Sequence, residues 1–165
     1  MFPTEGGDAG EFERHGMVGA LQDLLAAGRI KLYCVDSFDR ESWSNSGVSL
    51  EERARRHGAY EAWILGEVVP FIRDDCGGAS EVITCGASLG AFHAANFARG
   101  QLSVLLTCGQ GQWEDTTGAL DSSRHFASLL QRKGIRCELD VWGHDVAHDW
   151  PWWRTQLAHH LRRLC

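Results

Sequence analysis

The 165-residue sequence lacks the features that would direct it to a membrane or a nucleic acid. No apolar run approaches the roughly 18 residues that a membrane span needs. No Lys/Arg-rich patch offers the basic face typical of nucleic-acid binding, and the formal net charge is -6. Residues 1–7 have neither the basic start nor the apolar stretch of a secretory signal. We therefore expect a cytoplasmic protein whose partners include no membrane and no nucleic acid.

The six cysteines form no CxxC pair, and four of them lie in apolar runs that are typical of strands. A disulfide framework usually belongs to small secreted chains with regular cysteine spacing. We expect buried free thiols in a reducing compartment.

Apolar runs alternate with helical patterns along the chain, which favours an α/β fold with a mostly parallel sheet and helices on both faces. Hydrophobic residues make up 44% of the sequence and charged residues 23%, so residues 1–165 are expected to form one domain. The predicted strands are 31–37, 81–87, 102–108 and 136–142. The predicted helices are 12–27, 50–75 with a kink at Pro70, 89–98, 120–133 and 152–164.

The strongest local motif is Gly-Ala-Ser-Leu-Gly at 86–90. It follows a predicted strand and precedes a predicted helix, which is the context of a nucleophile elbow. Such a turn projects the Ser88 hydroxyl above the sheet edge, and the N–H of Leu89 at the start of the helix can stabilise a developing oxyanion. We therefore predict that Ser88 is a nucleophile and that Leu89 is one oxyanion donor.

Gly-Ala-Ser-Leu-Gly-Ala at 86–91, together with His-Asp-Trp-Pro-Trp-Trp at 148–153, resembles the putative-esterase branch of the α/β-hydrolases. That branch includes S-formylglutathione hydrolases, enterochelin esterases and mycolyltransferases. The resemblance implies a three-layer α/β-hydrolase-like domain in which His148 is the base. His144 would then be a neighbour that lines the pocket.

The resemblance also points to segments for the remaining groups. It puts the triad acid after the third predicted strand, where Glu114 is favoured, followed by Asp115. Asp121 is a further candidate, although it fits equally well as a helix cap. The second oxyanion donor would be the backbone N–H of Glu5 or Gly6.

Other polar and aromatic residues are candidates for the pocket. Asp36 and Ser37 end a predicted strand at the same edge of the sheet. The tryptophan side chains could line a binding site for the acyl group or could simply pack in the core. A metal site at His144 and His148 is disfavoured because their segment reads as a loop without an obvious third ligand. The pocket candidates are Asp36, Ser37, Trp113, His144 and Trp150.

The chain is shorter than the proteins it resembles, so a reduced number of strands is expected. Only three residues separate the nucleophile helix from the strand 102–108. We therefore predict a four-stranded parallel sheet in which 102–108 pairs with 81–87. Sheet edges left open by missing strands would favour self-association into a homo-oligomer.

The resulting hypothesis is a serine esterase that hydrolyses a small-molecule ester through an acyl-enzyme, with no cofactor. Two alternatives remain open from the sequence. A thioesterase or acyltransferase would use the same triad, because acceptor choice depends on the shape of the pocket. A truncated hydrolase that no longer catalyses would act as a binding module.

Overall fold

The computed structural model describes residues 1–78, 81–98 and 102–165. Helices and a small parallel sheet make up its regular structure, so the expected mixed α/β class is confirmed. Within these three stretches, no helix combines the length and the apolar character needed to cross a membrane.

The chain divides into two compact units. Unit 1 consists of Met1–His15 and Lys31–Ala98, and unit 2 consists of Gly16–Ile30 and Arg99–Cys165. In chain order the elements are α1 (Glu11–Arg14), α2 (Met17–Ala20), α3 (Gln22–Ala26), α4 (Leu50–Trp63), a π-helical turn (Ile64–Val68), α5 (Val69–Asp75), α6 (Leu89–Phe97), β1 (Ser103–Cys108), α7 (Gln112–Thr117), α8 (Ala119–Arg132), β2 (Arg136–Val141) and α9 (Trp150–Leu164).

Unit 1 contains the longest helical stretch, which spans the predicted helix 50–75. Its start is fixed by Ser49, whose hydroxyl accepts a hydrogen bond from the N–H of Glu52 at 3.2 Å. The π-helical turn ends directly before α5, and Pro70 lies in the first turn of α5. In an α-helix the proline ring would meet the carbonyl four residues earlier. The wider π turn accommodates the ring at the predicted kink.

Helix α6 confirms the predicted helix 89–98 to within one residue. It contributes Ala94 and Phe97 to the core cluster of unit 1, which also contains Phe2, Tyr60 and Ile64. The ring of Phe2 makes an edge-on contact with Phe97 at a centroid distance of 5.5 Å. The first residues of the chain are thus packed against the helix that follows Ser88.

Unit 2 contains the sheet, in which β1 and β2 are parallel from the pair Ser103–Arg136 to the pair Cys108–Val141. These strands confirm the predictions at 102–108 and 136–142. Helices α7 and α8 connect them, and α8 packs against both strands. Parallel neighbours need such a crossover. Helix α9 continues from the segment after β2 and packs against α2.

The other two predicted strands are wrong. Residues 31–37 form no strand; there Val35 N–H donates to Met1 O at 3.3 Å and Ser37 N–H to Gly7 O at 3.0 Å. Residues 81–87 form only an isolated parallel bridge between Phe2 and Gly86. A strand needs a continuous ladder to a partner, and these isolated bonds do not provide one. The described sheet has two strands, ordered β1-β2, so the predicted four-stranded, three-layer sheet and the pairing of 102–108 with 81–87 are also wrong.

The predicted helix 12–27 is broken into α1, α2 and α3. Gly16 adopts a left-handed conformation with φ 73° between α1 and α2, which interrupts the helical hydrogen bonding. The chain passes from unit 1 to unit 2 at this glycine. The predicted helices 120–133 and 152–164 are confirmed as α8 and α9, which begins two residues early at Trp150.

Candidate active site

Ser88 lies at the turn into α6 with φ 54° and ψ -124°. Among the described residues it is the one non-glycine residue with positive φ. A side chain in such a sparsely populated region costs about 1–3 kcal/mol and persists where the surroundings over-determine it. This is the backbone conformation that a nucleophile elbow requires, and it occurs at the residue predicted to be the nucleophile.

The two glycines of the motif allow close backbone contacts around Ser88. A Cβ on Gly86 would fall well under 3.0 Å from the carbonyl group of Gly90. A Cβ on Gly90 would fall equally close to the carbonyl oxygens of Phe2 and Pro3. The motif therefore packs the N-terminal segment directly onto the first turn of α6, at a separation that only glycine permits.

The first candidate oxyanion donor, the N–H of Leu89, is at the first position of α6. The N–H groups in the first turn of a helix have no partner within that helix and are directed toward its N-terminal end. In this first turn Gly90 N–H donates to Ala87 O and Ala91 N–H to Ser88 O, so the candidate donor beside Ser88 is the N–H of Leu89.

The second candidate donor lies in a tight turn of unit 1. Gly7 N–H donates to Thr4 O at 3.0 Å, and Gly6 at the third position has φ 67°, as a type II turn requires. Gly6 N–H donates to an Asp39 carboxylate oxygen at 3.3 Å. Since Gly6 is engaged there, Glu5 is the better candidate for the second oxyanion donor.

In unit 2, the structure brings His148 and Glu114 together. His148 Nδ1 lies 3.4 Å from Glu114 Oε1, with the side chains 40% and 6% exposed. A carboxylate only accepts hydrogen bonds, so Nδ1 carries the proton and Nε2 becomes the basic nitrogen. The distance is long for a hydrogen bond, as is common for catalytic pairs without substrate. Glu114 lies outside the predicted helices and strands, but the structure places it in α7.

Close backbone packing holds the loops that carry this pair. A Cβ on Gly109 would lie 2.7 Å from Val146 Cγ1, and one on Gly111 would collide with the Val146 carbonyl. Gln110 N–H donates to Gly143 O at 3.1 Å. His148 then precedes the helix cap Asp149, whose carboxylate accepts the N–H of Trp150 at 2.6 Å. Both ends of the His148 segment are therefore fixed.

The buried side of Glu114 is lined by the thiol of Cys108, at the end of β1. Burial and the Glu114 carboxylate raise the pKa of Cys108 to about 11, so this thiol stays neutral at physiological pH. The other acid candidates have different surroundings. Asp115 is exposed, and Asp121 is exposed and pairs with Arg124 at 3.2 Å. Glu114 is the candidate acid that the structure brings to His148.

The predicted pocket residues are distributed over the two units. In unit 1, Asp36 accepts the N–H of Ala9 at 2.8 Å, and Ser37 donates its hydroxyl to Asp39 at 2.8 Å. In unit 2, Trp113 is 64% exposed and Trp150 is buried.

His144 of unit 2 donates from Nδ1 to Gln110 O at 3.0 Å. It lines a cavity of ≈ 520 Å³ together with Gln112, Asp115 and Thr116. It is therefore a neighbour of α7, the helix that carries the candidate acid Glu114.

Sequence reasoning missed a second histidine–carboxylate pair, Asp39 and His93 in unit 1. Their Nε2–Oδ1 distance is 2.8 Å, and both side chains are almost completely buried. The available signal was a histidine on the apolar helix α6, five residues beyond Ser88. No pattern in the sequence indicates its partner.

The chain matches no family of known proteins, no characterised protein and no solved structure. Among the residues that the structure describes, no group of three or more His, Cys, Asp or Glu side chains is arranged to hold a metal ion.

Proposed function

We propose that this chain is a serine hydrolase that cleaves carboxylic esters. The observation that carries the proposal is the backbone of Ser88, whose φ of 54° and ψ of -124° are otherwise unfavourable for a serine. An unfavourable conformation at a residue of a G-x-S-x-G turn is expected when the hydroxyl itself is needed. The His148–Glu114 pair gives independent support, since it has the residue types and the contact of a base and its acid.

In the proposed mechanism, Ser88 attacks the ester carbonyl while Nε2 of His148 accepts its proton. Glu114 holds the Nδ1 proton and stabilises the imidazolium that forms. The N–H groups of Leu89 and Glu5 stabilise the oxyanion. His148 protonates the leaving alcohol, and a water molecule activated by the same imidazole releases the acid from Ser88. The steps require no cofactor.

The proposed relationship to the α/β-hydrolases no longer includes the four-stranded, three-layer sheet. Its support is the parallel β1–β2 pair with its α8 crossover, the turn at Ser88 and the histidine segment before α9. The substrate class is a small ester. The thioesterase, the acyltransferase and the binding module of the sequence analysis stay as alternatives.

The direct test is covalent labelling with a fluorophosphonate, which reacts with activated serines. We expect the purified protein to be labelled at Ser88, as located by peptide mass spectrometry. His148→Ala should react about 10²-fold more slowly because the base is lost. Heat-unfolded protein is the control and should not react. No label on folded protein would favour the binding module, whereas a label on another serine would assign the nucleophile to that residue and refute the role of Ser88.

The choice of acid is tested by Glu114→Gln. The amide cannot stabilise an imidazolium as a carboxylate does, so we expect esterase kcat to fall by about 10²- to 10⁴-fold. Asp115→Asn and Asp121→Asn are matched controls, each removing one negative charge, and should keep kcat within about two-fold since neither is the proposed acid. A larger loss in either control than in Glu114→Gln would move the acid to that residue.

A further inference from the structure

The buried Asp39–His93 pair of unit 1 has a defined set of partners. Asp39 Oδ1 accepts from His93 Nε2 at 2.8 Å, and Oδ2 accepts the Ser37 hydroxyl at 2.8 Å and the Gly6 N–H at 3.3 Å. Burial alone would raise the pKa of Asp39, but the hydrogen bonds from His93 and Ser37 outweigh it and leave the pKa below its ordinary value. Asp39 is therefore a charged carboxylate that receives three donors.

This pair has the residue types of a catalytic dyad but no access to substrate. The side chains of His93 and Asp39 are 1% and 0% exposed. The imidazole is enclosed by stacked contacts with His57 and Phe97, at centroid distances of 5.2 and 5.6 Å. Because the Asp39–His93 pair is enclosed in this way, any effect on a reaction must come from the chain segments that the pair holds together.

Those segments are the ones that carry the proposed oxyanion donors. His93 belongs to α6, whose first N–H is that of Leu89. Gly6, whose N–H donates to Asp39, belongs to the turn from Thr4 to Gly7 that carries the Glu5 N–H. Asp39 thus links this turn to the helix through hydrogen bonds on both of its oxygens.

A further observation favours a specific role for the imidazole. Its second nitrogen, Nδ1, is buried and has no hydrogen-bond partner among the residues that the structure describes. A buried polar atom without a partner is unfavourable, and an apolar side chain at this position would avoid it. The Nε2 contact with Asp39 is the one polar bond that accounts for a histidine at position 93.

We infer that Asp39 and His93 are positioning residues that hold the Glu5 and Leu89 N–H groups at a fixed separation, an inference that rests on the proposed serine hydrolase. Neither residue touches the ester. They align the two donors before substrate binds, so that the oxyanion meets both without rearrangement.

The test compares variants by steady-state hydrolysis of p-nitrophenyl acetate. We expect Asp39→Asn and His93→Asn to lower kcat about 10- to 100-fold while KM changes by less than about two-fold, because oxyanion contacts act in the transition state. His93→Gln should keep kcat within about three-fold, since its amide can reach Asp39 where that of Asn is too short. Asp75→Asn, at the surface contact with Lys31, is the charge-matched control and should behave as wild type.

Amide hydrogen exchange of Gly6, followed by NMR, gives a readout independent of turnover. We expect exchange to accelerate at least about ten-fold in Asp39→Asn and His93→Asn, and to remain unchanged in His93→Gln and Asp75→Asn. If the wild type is active, and kcat and the Gly6 exchange rate are unchanged in both Asp39→Asn and His93→Asn, the inference is overturned while the proposed function stands. A wild type in which Ser88 takes no label would overturn the proposed function, and this inference with it.

Discussion

Ser88→Ala is expected to lower kcat/KM for p-nitrophenyl acetate by roughly 10⁴-fold or more, and to remove the burst of p-nitrophenol that accompanies acylation. The hydroxyl is the atom that forms the covalent intermediate, so no neighbouring donor can replace it. The residual rate of ester hydrolysis should approach the background rate that a protein surface gives without a dedicated nucleophile. Stopped-flow absorbance would measure the burst, and initial rates would give kcat/KM.

The fold is not expected to suffer from this substitution. Alanine at φ 54° is no better accommodated than serine, so far-UV circular dichroism and the thermal midpoint should stay near those of wild type. Ser122→Ala, an exposed serine on α8, is a matched control that should retain full activity. A Ser88→Ala protein as active as wild type would refute the esterase mechanism.

Gly90→Ala is expected to lower the free energy of unfolding by about 3 kcal/mol or more, because overpacking against a rigid backbone is among the more damaging changes. Gly90 lies in α6, where helix propensity alone would favour alanine by about 1 kcal/mol. The new Cβ would, however, fall below 3.0 Å from the carbonyl oxygens of both Phe2 and Pro3. The clash outweighs the propensity gain, and urea denaturation would measure the difference.

Gly58→Ala is the matched control for that experiment. Gly58 lies in α4 of the same unit, and a Cβ there meets nothing within 4 Å. Only the propensity gain remains, so stability should rise by about 0.5–1 kcal/mol. If both variants were stabilised, the close approach of the N-terminal segment to α6 would be wrong.

The elements that could be predicted from the sequence are those with complete local signals. Helix α4 has its Ser49–Glu52 cap, and α6 has a glycine turn before an apolar stripe. β1 and β2 are apolar runs that were predicted as strands of a mostly parallel sheet, although their pairing with each other was not predicted. In each case the information lies within the segment or in its immediate neighbour.

The elements that were predicted wrongly depend on partners elsewhere in the chain. The run 31–37 contains four consecutive apolar residues at 32–35, but its backbone meets the short N-terminal segment at isolated points. The run 81–87 has a single bridge, to Phe2. Apolar composition predicts burial in both segments, but Val82 and Ile83 are exposed. A strand also requires a long partner at the right register.

The candidate site shows the same division. Ser88 was identified by its G-x-S-x-G motif. The resemblance to the α/β-hydrolases limited the candidates for the base and the acid to a few residues, which include His148 and Glu114. Asp39 could not be found, because its three donors come from Gly6, Ser37 and His93, spread over most of unit 1. A buried hydrogen-bond network between residues so far apart in the chain produces no recognisable spacing pattern in the sequence.

The π-helical turn Ile64–Val68 has a consequence for changes in chain length. Its characteristic bond runs from Val69 N–H to Ile64 O, one residue further than in an α-helix. The turn thus contains one residue more than the helices on either side need. Gly66 at its centre is exposed and would meet no neighbour as alanine. Deleting this one residue would convert the turn to α-helix and leave the core faces of α4 and α5 in phase, whereas a deletion elsewhere in either helix would rotate one face by about 100°.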